Sequence, residues 1–262
     1  MAEGVKFWPV TEQFDPESAD SEGLVAIGGD LEPETLLSAY RHGVFPWFDE
    51  GMPFCWWSPD PRAVIEFDKF HVSRRLARTI RSGRFTTTIN RDFIGVMRGC
   101  AVRDEGTWIT DDMLAAYARL HALGVAHSVE VWLSTGFVAG SEVALGDRRP
   151  GSALASSPGL RSPKATSDPA TKSRMKSRLV GGVYGVAIGG FFAAESMFHR
   201  ATDASKVALA ALVEHLRQRG FHLLDIQLIT PHTTRMGATE IPRGDYLSRL
   251  ATALSVPTTF LS

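Results

Sequence analysis

Three polar side chains in the C-terminal third of the chain have types and spacing that could do chemistry: Glu195, Asp225 and Gln227. Residues 221–227 alternate as a strand, so Asp225 and Gln227 share one face and the apolar residues beside them point to the other. A carboxylate can hold an amine and accept its proton, and an amide can donate a hydrogen bond to a carbonyl. Structural alternatives stay open: Glu195 as a buried partner of backbone amides and Asp225 as an internal salt-bridge residue.

The elements that must position these residues are a hairpin, a helix and a strand. Residues 179–188 form a β-branched run that Gly189-Gly190 interrupts before the apolar run resumes and reaches Glu195, which predicts a hairpin. Ser205 is a good N-cap for a helix that Gly220 ends. The apolar face of that helix follows i, i+3, i+4, i+7 spacing and consists of Leu209, Leu212, Val213 and Leu216.

The N-terminal part predicts a strand within 23–31 and a helix from about Pro33 to Gly43. Residues 1 to about 22 are too irregular for an element and are interpreted as a docked segment. The glycines at 28–29 indicate a turn rather than a phosphate loop, because no Gly-Lys-Ser/Thr follows them. The aromatic stretch 44–57 holds three of the six tryptophans. It is either a lid between two subdomains or a platform on which a nucleobase or apolar acyl side chain stacks.

A basic helix follows this stretch. Ser73 caps it, Leu76 and Ile80 face inward, and no acid lies between Lys69 and Arg84 although the formal charge of the whole chain is −1. A solvated face and a phosphate-binding face are both possible. The basic residues of the predicted phosphate contact are Arg74, Arg75, Arg78 and Arg81.

The middle of the chain predicts a strand over 85–89, a helix from 93 to 99, a helix from 111 to about 123 capped by Thr110, and a strand over 127–132. Residues 134–178 change to Ser, Pro, Ala, Gly, Lys and Arg with a balance of +5, which predicts a disordered insertion between two strands that pair. A last helix is expected over 244–254.

Composition excludes several classes. The hydrophobic content of 44% suits a globular core, and no run of about 18 apolar residues or apolar leader occurs, so a cytoplasmic protein without a membrane span is expected. Cys55 and Cys100 have no metal-like spacing and make no disulfide framework. His121 and His127 do not form a metal-binding helix motif, so no metal site is predicted.

Ordered blocks of the sequence resemble the bacterial leucyl/phenylalanyl-tRNA-protein transferases. The blocks are 23–31, 40–47, 56–62, 106–110, 127–132, 179–184, Glu195-Ser196-Met197-Phe198 and Asp225-x-Gln227. The resemblance implies an α+β (α/β) fold: a small N-terminal domain (1–62) and an acetyltransferase-like (GNAT) domain (63–262) with a mixed, largely antiparallel sheet flanked by helices. It also implies a monomer without a cofactor.

The activity that the resemblance implies is transfer of leucine or phenylalanine, and less well methionine, from aminoacyl-tRNA. The acceptor is the α-amino group of proteins with N-terminal Arg or Lys, which are thereby marked for degradation. Departures from the family pattern are Ala194 for a glycine, His199 for a serine, Asp203 for an asparagine, and the insertion.

Carried over to this sequence, the resemblance makes Trp47 and Trp108 the pair that sandwiches the terminal adenosine of the tRNA. The polar group would align the reaction. Asp225 would hold the amine, Gln227 would donate to the ester carbonyl or fix the amine, and Glu195 would hold the ribose or keep the other two in register. The apolar amino-acid pocket would consist of Phe192, Met197 and Leu209.

Two other classes compete. A CoA-dependent acetyltransferase needs a pyrophosphate loop, which residues 178–183 approach but continue as a strand. A non-catalytic module that binds RNA or N-terminal residues would also explain the basic helix on an acidic body. A serine hydrolase is disfavoured because no Gly-x-Ser-x-Gly elbow occurs.

Overall fold

The computed structural model describes residues 6–8, 14–102, 106–134 and 177–261. Its N-terminal part is a four-stranded sheet with one α-helix and a short 3-10 helix (Pro16–Ser18). The strands are β1 (Lys6–Trp8), β2 (Leu24–Gly28), β3 (Phe45–Pro46) and β4 (Cys55–Trp57), in the order β1-β2-β4-β3, and α1 (Pro33–Arg41) connects β2 to β3. The predicted strand, glycine turn and helix of this region are confirmed.

A seven-stranded sheet follows, in the order β11-β5-β10-β9-β8-β7-β6. Only β9 and β10 run parallel, so the predicted mixed, largely antiparallel sheet is confirmed for the described chain. The strands are β5 (Arg62–Ile65), β6 (Phe85–Ile89), β7 (Ala126–Ser134), β8 (Ser177–Ile188), β9 (Phe191–His199), β10 (Leu223–Gln227) and β11 (Ala238–Ile241).

Helices cover this sheet. They are α2 (Arg74–Arg81), α3 (Phe93–Ala101), α4 (Asp111–Ala122), α5 (Ala204–Arg219), α6 (Pro231–Thr234) and α7 (Arg243–Leu254). The predicted caps at Ser73 and Thr110 accept from Leu76 N and Met113 N, as expected.

Two predictions about helices are wrong. Helix α5 begins at Ala204, and its N-cap is Asp203 in the left-handed conformation (φ 70°) rather than Ser205, because Ser205 already lies in the first turn and is buried. Ile80 does not face inward: it is 41% exposed, whereas Leu76 is 3% exposed. The short helix α2 therefore contacts the hydrophobic core through one turn, at Leu76.

The hydrophobic core lies on both faces of the large sheet. On one face, α3, α4, α7 and the N-terminal sheet share one cluster of buried residues, which runs from Phe14 to Ala253. On the other face, α5 packs through Leu209, Leu212 and Leu216. Because the first cluster continues across Arg62, the division into domains at residue 62 stays a prediction.

The two strands on either side of the predicted insertion pair with each other, as expected. Strands β7 and β8 pair antiparallel from Ala126↔Val186 to Ser134↔Ser177. Residues 134, 177 and 178 therefore belong to strands and not to an insertion, and the rest of the predicted insertion, 135–176, lies outside the described residues.

Candidate active site

Asp225 lies in the middle of the large sheet and forms a buried ion pair with Arg62, the first residue of the neighbouring strand β5. The guanidinium donates through Nε to Oδ1 (2.9 Å) and through Nη2 to Oδ2 (2.7 Å), and the two side chains are 1% and 0% exposed. Burial alone lowers the pKa of Arg62, but the Asp225 carboxylate outweighs it and raises that pKa, so the guanidinium stays charged.

Other donors complete the coordination of Asp225. Tyr246 Oη donates to Oδ2 (2.9 Å) and Gln227 N donates to Oδ1 (2.9 Å). The remaining Arg62 nitrogen, Nη1, donates to Gly43 O (3.0 Å), just beyond α1. Gly43 has a φ of 74°, and a Cβ there would meet Tyr246, which accounts for a glycine at this position. Both carboxylate oxygens therefore already accept two donors each.

Gln227 is held in an unusual backbone conformation. Its φ is 58°, and Leu228 N donates to Ile226 O at 2.6 Å, which closes a γ-turn centred on Gln227. The pairing of β10 with β5 shifts register between Asp225 and Gln227. A residue other than glycine in this region costs of order 1–3 kcal/mol and is typical of functional sites.

The side chain of Gln227 points to Glu195. Its Nε2 donates to Glu195 Oε1 (3.2 Å), and Tyr117 Oη donates to Glu195 Oε2 (3.2 Å). The Tyr117 hydroxyl in turn shares a short hydrogen bond with the hydroxyl of Tyr40 on α1. One chain of hydrogen bonds thus joins Glu195 to the N-terminal part of the protein.

Burial raises the pKa of Glu195 to about 8, since hydrogen bonds from the two tyrosines offset only part of the cost of burying the charge. The carboxyl group is therefore mostly protonated at neutral pH. Burial also raises the pKa of Tyr40 and Tyr117 well above their ordinary values, and both hydroxyls keep their protons.

A cavity of about 230 Å³ opens beside Glu195. The γ-turn brings both Ile226 and Leu228 to its wall, and Leu228 is 47% exposed at the rim. Its other lining residues are Val183, Ala194, Ser196, Met197, Leu209, Thr230 and Thr233. A larger cavity of about 500 Å³, next to Phe260, contains none of the predicted site residues.

The structure brings two of the three predicted pocket residues to this cavity, Met197 and Leu209. Phe192 is 1% exposed, and its ring lies 5.3 Å from that of Phe260 and 6.5 Å from that of Phe221. It packs in the same core cluster as Leu209, beneath α5, and does not line the cavity.

Comparison with known proteins finds matches to one family along most of the chain. The family model described as leucyl/phenylalanyl-tRNA protein transferase matches residues 64–147 and 170–251, and the model of the N-terminal domain of that transferase matches 29–60. The chain belongs to the leucyl/phenylalanyl-tRNA protein transferase family. Residues 148–169, in the middle of the predicted insertion, lie outside both matches.

Relatives named leucyl/phenylalanyl-tRNA–protein transferase are similar over most of their length. That of Anaeromyxobacter sp. (strain K) is 46% identical over 248 residues, 93% of this chain and 88% of the relative. That of Solidesulfovibrio magneticus is 44% identical over 242 residues, 91% and 81%. That of Stutzerimonas stutzeri is 44% identical over 241 residues, 91% and 88%.

Among solved structures, one described as "The structure of L-PGS from Bacillus licheniformis" superposes with a TM-score of 0.34 at 10% identity, covering 79% of this chain and 54% of that one. This score is too low to support an argument. The assignment of this chain to the transferase family rests on the sequence matches.

The two tryptophans expected to bind adenosine lie in different parts of this family member. Trp47 follows β3 and is 43% exposed, and its ring centroid lies 6.0 Å from that of Trp57, whose Nε1 donates to Trp47 O. Trp108 precedes α4, is partly buried and packs against the core. A sandwich between them stays a prediction.

The four arginines of α2 are all exposed. Arg75 is 77% exposed and its Nε lies 3.7 Å from Asp203 Oδ2 at the start of α5. The helix thus presents its charges to solvent, next to the beginning of α5. This geometry is compatible with phosphate contact, which stays a prediction.

Sequence reasoning missed four side chains of the network: Arg62, Tyr246, Tyr117 and Tyr40. The strongest available signal was Arg62 at the head of an apolar strand, since a buried arginine requires an acidic partner. No group of three or more His, Cys, Asp or Glu residues within the described ranges could hold a metal ion. None of the described helices is long and apolar enough to cross a membrane.

Proposed function

We propose that this protein transfers leucine or phenylalanine, and less well methionine, from aminoacyl-tRNA to the α-amino group of proteins that begin with Arg or Lys. The relatives' names specify a leucyl/phenylalanyl-tRNA–protein transferase, and the matches cover the site residues. The observation that carries the proposal is Gln227, which is kept in a strained γ-turn so that its amide meets Glu195 beside an apolar cavity.

The chemistry needs alignment more than activation. The acceptor nitrogen attacks the ester carbonyl carbon, a C–N bond forms, and the bond to the ribose oxygen breaks. One proton moves from the attacking nitrogen to the leaving oxygen. Because the ester is already reactive, holding amine and carbonyl in contact can supply about 7–11 kcal/mol of the barrier reduction.

In this proposal Asp225 is a positioning residue. Its two oxygens are occupied by Arg62, Tyr246 and the backbone of Gln227, so it fixes the γ-turn rather than holding the amine. Gln227 contacts the substrates through the carbonyl oxygen of its amide, which accepts from the amine, while Nε2 stays on Glu195. This revises the direct contact that the sequence suggested for Asp225.

Glu195 completes the alignment as a neutral acid. With a pKa raised to about 8 it carries a proton at neutral pH, so its O–H can donate to an oxygen of the terminal ribose while Oε1 accepts from Gln227. The leucyl or phenylalanyl side chain fills the cavity between Met197, Leu209 and Leu228. A methionine side chain has similar length and is accepted less well.

The remaining features belong to the same proposal. Trp47 and Trp108 hold the terminal adenosine, the exposed arginines of α2 contact tRNA phosphates, and the protein acts as a cytoplasmic monomer without a cofactor, in a degradation pathway that reads N-terminal residues.

The structure does not support the alternative of a CoA-dependent acetyltransferase. That function would need residues 178–183 to form a loop that binds a pyrophosphate. These residues instead lie inside β8, where they pair with β7 on one side and, from Gly181, with β9 on the other. Their amides are engaged in the sheet.

A turnover experiment separates the enzyme from a binding module. Leucyl-tRNA in tenfold excess over protein is incubated with a peptide that begins with Lys, and leucyl-peptide is counted by mass spectrometry. Product in excess of the protein supports the transferase. Protection of the ester without any leucyl-peptide would support the binding module.

A further inference from the structure

The cavity beside Glu195 opens where two neighbouring strands separate. The parallel pairing of β9 with β10 ends at Asp225↔Ala193, and no later pair joins the described residues of these two strands. The γ-turn centred on Gln227 carries β10 away from β9 at this point. Ala194 is the first residue of β9 beyond the last pair and lines the cavity. It therefore lies at the closed end, where the strands diverge.

A β-bulge brings Ala194 and Glu195 to the same wall. On the other side of β9, Gly185 pairs with Ala194 and Tyr184 pairs with Ser196, so Glu195 is the extra residue of the bulged strand. A bulge re-aims the side chains beside it, and four consecutive residues of β9, from Ala194 on, line the cavity. The methyl group of Ala194 is thus next to the carboxyl group that the site uses.

The wall at Ala194 has no room to retreat. A Cβ at Gly185 would clash with Ala193 O, so β8 packs directly against this stretch of β9. The Cβ of Ala194 also has no rotatable bond by which it could move aside. By contrast, Met197 is unbranched and adaptable, and Leu228 is 47% exposed at the rim. Ala194 is therefore a fixed boundary for a side chain that enters the cavity.

We propose that Ala194 is a specificity-determining residue that makes this protein prefer leucine to phenylalanine as the transferred amino acid. The inference rests on the proposed function, which places the donor side chain in this cavity and its ester beside Glu195 and Gln227. The first carbons of the donor side chain then pack against the Ala194 methyl group. That group penalises a bulky planar phenyl ring more than a branched aliphatic chain, because the wall behind it cannot yield.

The test is a competition between two donors that share one tRNA sequence and carry either leucine or phenylalanine. The full-length protein receives both donors in equal amounts with a peptide that begins with Lys, and mass spectrometry counts leucyl-peptide and phenylalanyl-peptide at low conversion. The ratio of the products equals the ratio of the two kcat/KM values. It does not depend on how much of a variant is folded, since both donors compete for the same active molecules.

Ala194→Gly removes the methyl group and should raise the ratio of phenylalanyl-peptide to leucyl-peptide roughly tenfold, the lower end of the effect of one methylene in an apolar pocket. Ala194→Val adds bulk at the same point and should lower that ratio below the value of the unaltered protein. Ala193→Gly is the matched control, since it makes the same change at the neighbouring residue, which is buried and does not line the cavity. It should leave the ratio unchanged.

An unchanged product ratio in Ala194→Gly, or an equal rise in Ala193→Gly, would overturn the assignment of Ala194. An excess of phenylalanyl-peptide from the unaltered protein, or a ratio that rises in Ala194→Val, would overturn it too. Failure of the proposed function is a different result: the unaltered protein would then form neither product from either donor.

Discussion

The side-chain amide of Gln227 donates to Glu195 across 3.2 Å, while the backbone of Gln227 forms the centre of a γ-turn with a positive φ of 58°. Glycine would adopt this turn without strain. That a glutamine occupies it indicates that its side chain, rather than the turn alone, is required. The backbone conformation and the side chain of Gln227 should therefore have separable effects on stability and on activity.

Gln227→Gly should keep the fold and lose the activity. Relief of the strained φ offsets the loss of one hydrogen bond to Glu195, so the free energy of unfolding should change by less than about 1 kcal/mol. The rate of leucyl transfer at saturating donor should fall at least about 100-fold, of the order seen when one preorganised hydrogen-bonding group is removed from an active site.

Gln227→Ala is the matched variant. It loses the same side chain but retains the strain, and it should be less stable than Gln227→Gly by roughly 1 kcal/mol, since alanine gains nothing at positive φ. Urea unfolding measures both. A glycine variant with near-native transfer rates would show that the amide takes no part in alignment.

Arg62 and Asp225 should behave as one unit. Arg62→Met or Asp225→Asn alone breaks a fully buried pair and should cost roughly 3–5 kcal/mol of folding free energy. The double variant should lose much less than the sum, because no charge is left unpaired. A thermodynamic cycle of the four proteins measures this coupling.

The same variants test the role of Asp225. If Asp225 positions the turn through its partners, folded Arg62→Met should lose transfer rate about as much as Asp225→Asn. Native turnover in Arg62→Met together with an inactive Asp225→Asn would instead favour direct contact between Asp225 and the amine.

The raised pKa of Glu195 should make the stability of the fold depend on pH. The unfolded chain releases the Glu195 proton near pH 4.5, whereas the folded protein holds it up to about pH 8. The folded state therefore binds more protons in this window, and the stability due to Glu195 falls as pH rises, by at most about 1.4 kcal/mol per pH unit.

Glu195→Gln removes that titration and keeps a neutral, hydrogen-bonding side chain. Its unfolding free energy minus that of the unaltered protein should rise between pH 4.5 and 8 and level off above. A difference that is flat across this range would mean that Glu195 is ionised in the folded protein at neutral pH.

The exposed arginines of α2 should make the binding of intact tRNA depend on salt concentration. Replacing Arg74, Arg78 and Arg81 with Gln should weaken binding of aminoacyl-tRNA and reduce its logarithmic salt slope by roughly two to three, near 0.9 per phosphate contact. Leucyl-adenosine should bind as before. The charges are exposed, so the fold should tolerate the change, and an unaltered slope would identify a merely solvated face.

Whether a feature could be predicted from the sequence depended on how far apart in the chain the interacting residues lie. Local signals such as Thr110, Gly220 and the Gly189-Gly190 turn predicted helix ends and the hairpin, because neighbouring residues decide those structures. The partners of Asp225 come from positions 62 and 246, and no periodicity reveals such pairing. The alternation that placed Asp225 and Gln227 on one face missed the γ-turn, which only the bulged pairing with β5 produces.

The most direct test of the central claim is the fate of labelled leucine. Leucyl-tRNA carrying the label is incubated with the protein and two peptides that differ only in their first residue, Arg in one and Glu in the other. We expect the label to be joined through a peptide bond to the α-amino group of the Arg peptide and not to that of the Glu peptide. Equal labelling of both peptides, or labelling of neither, would contradict it.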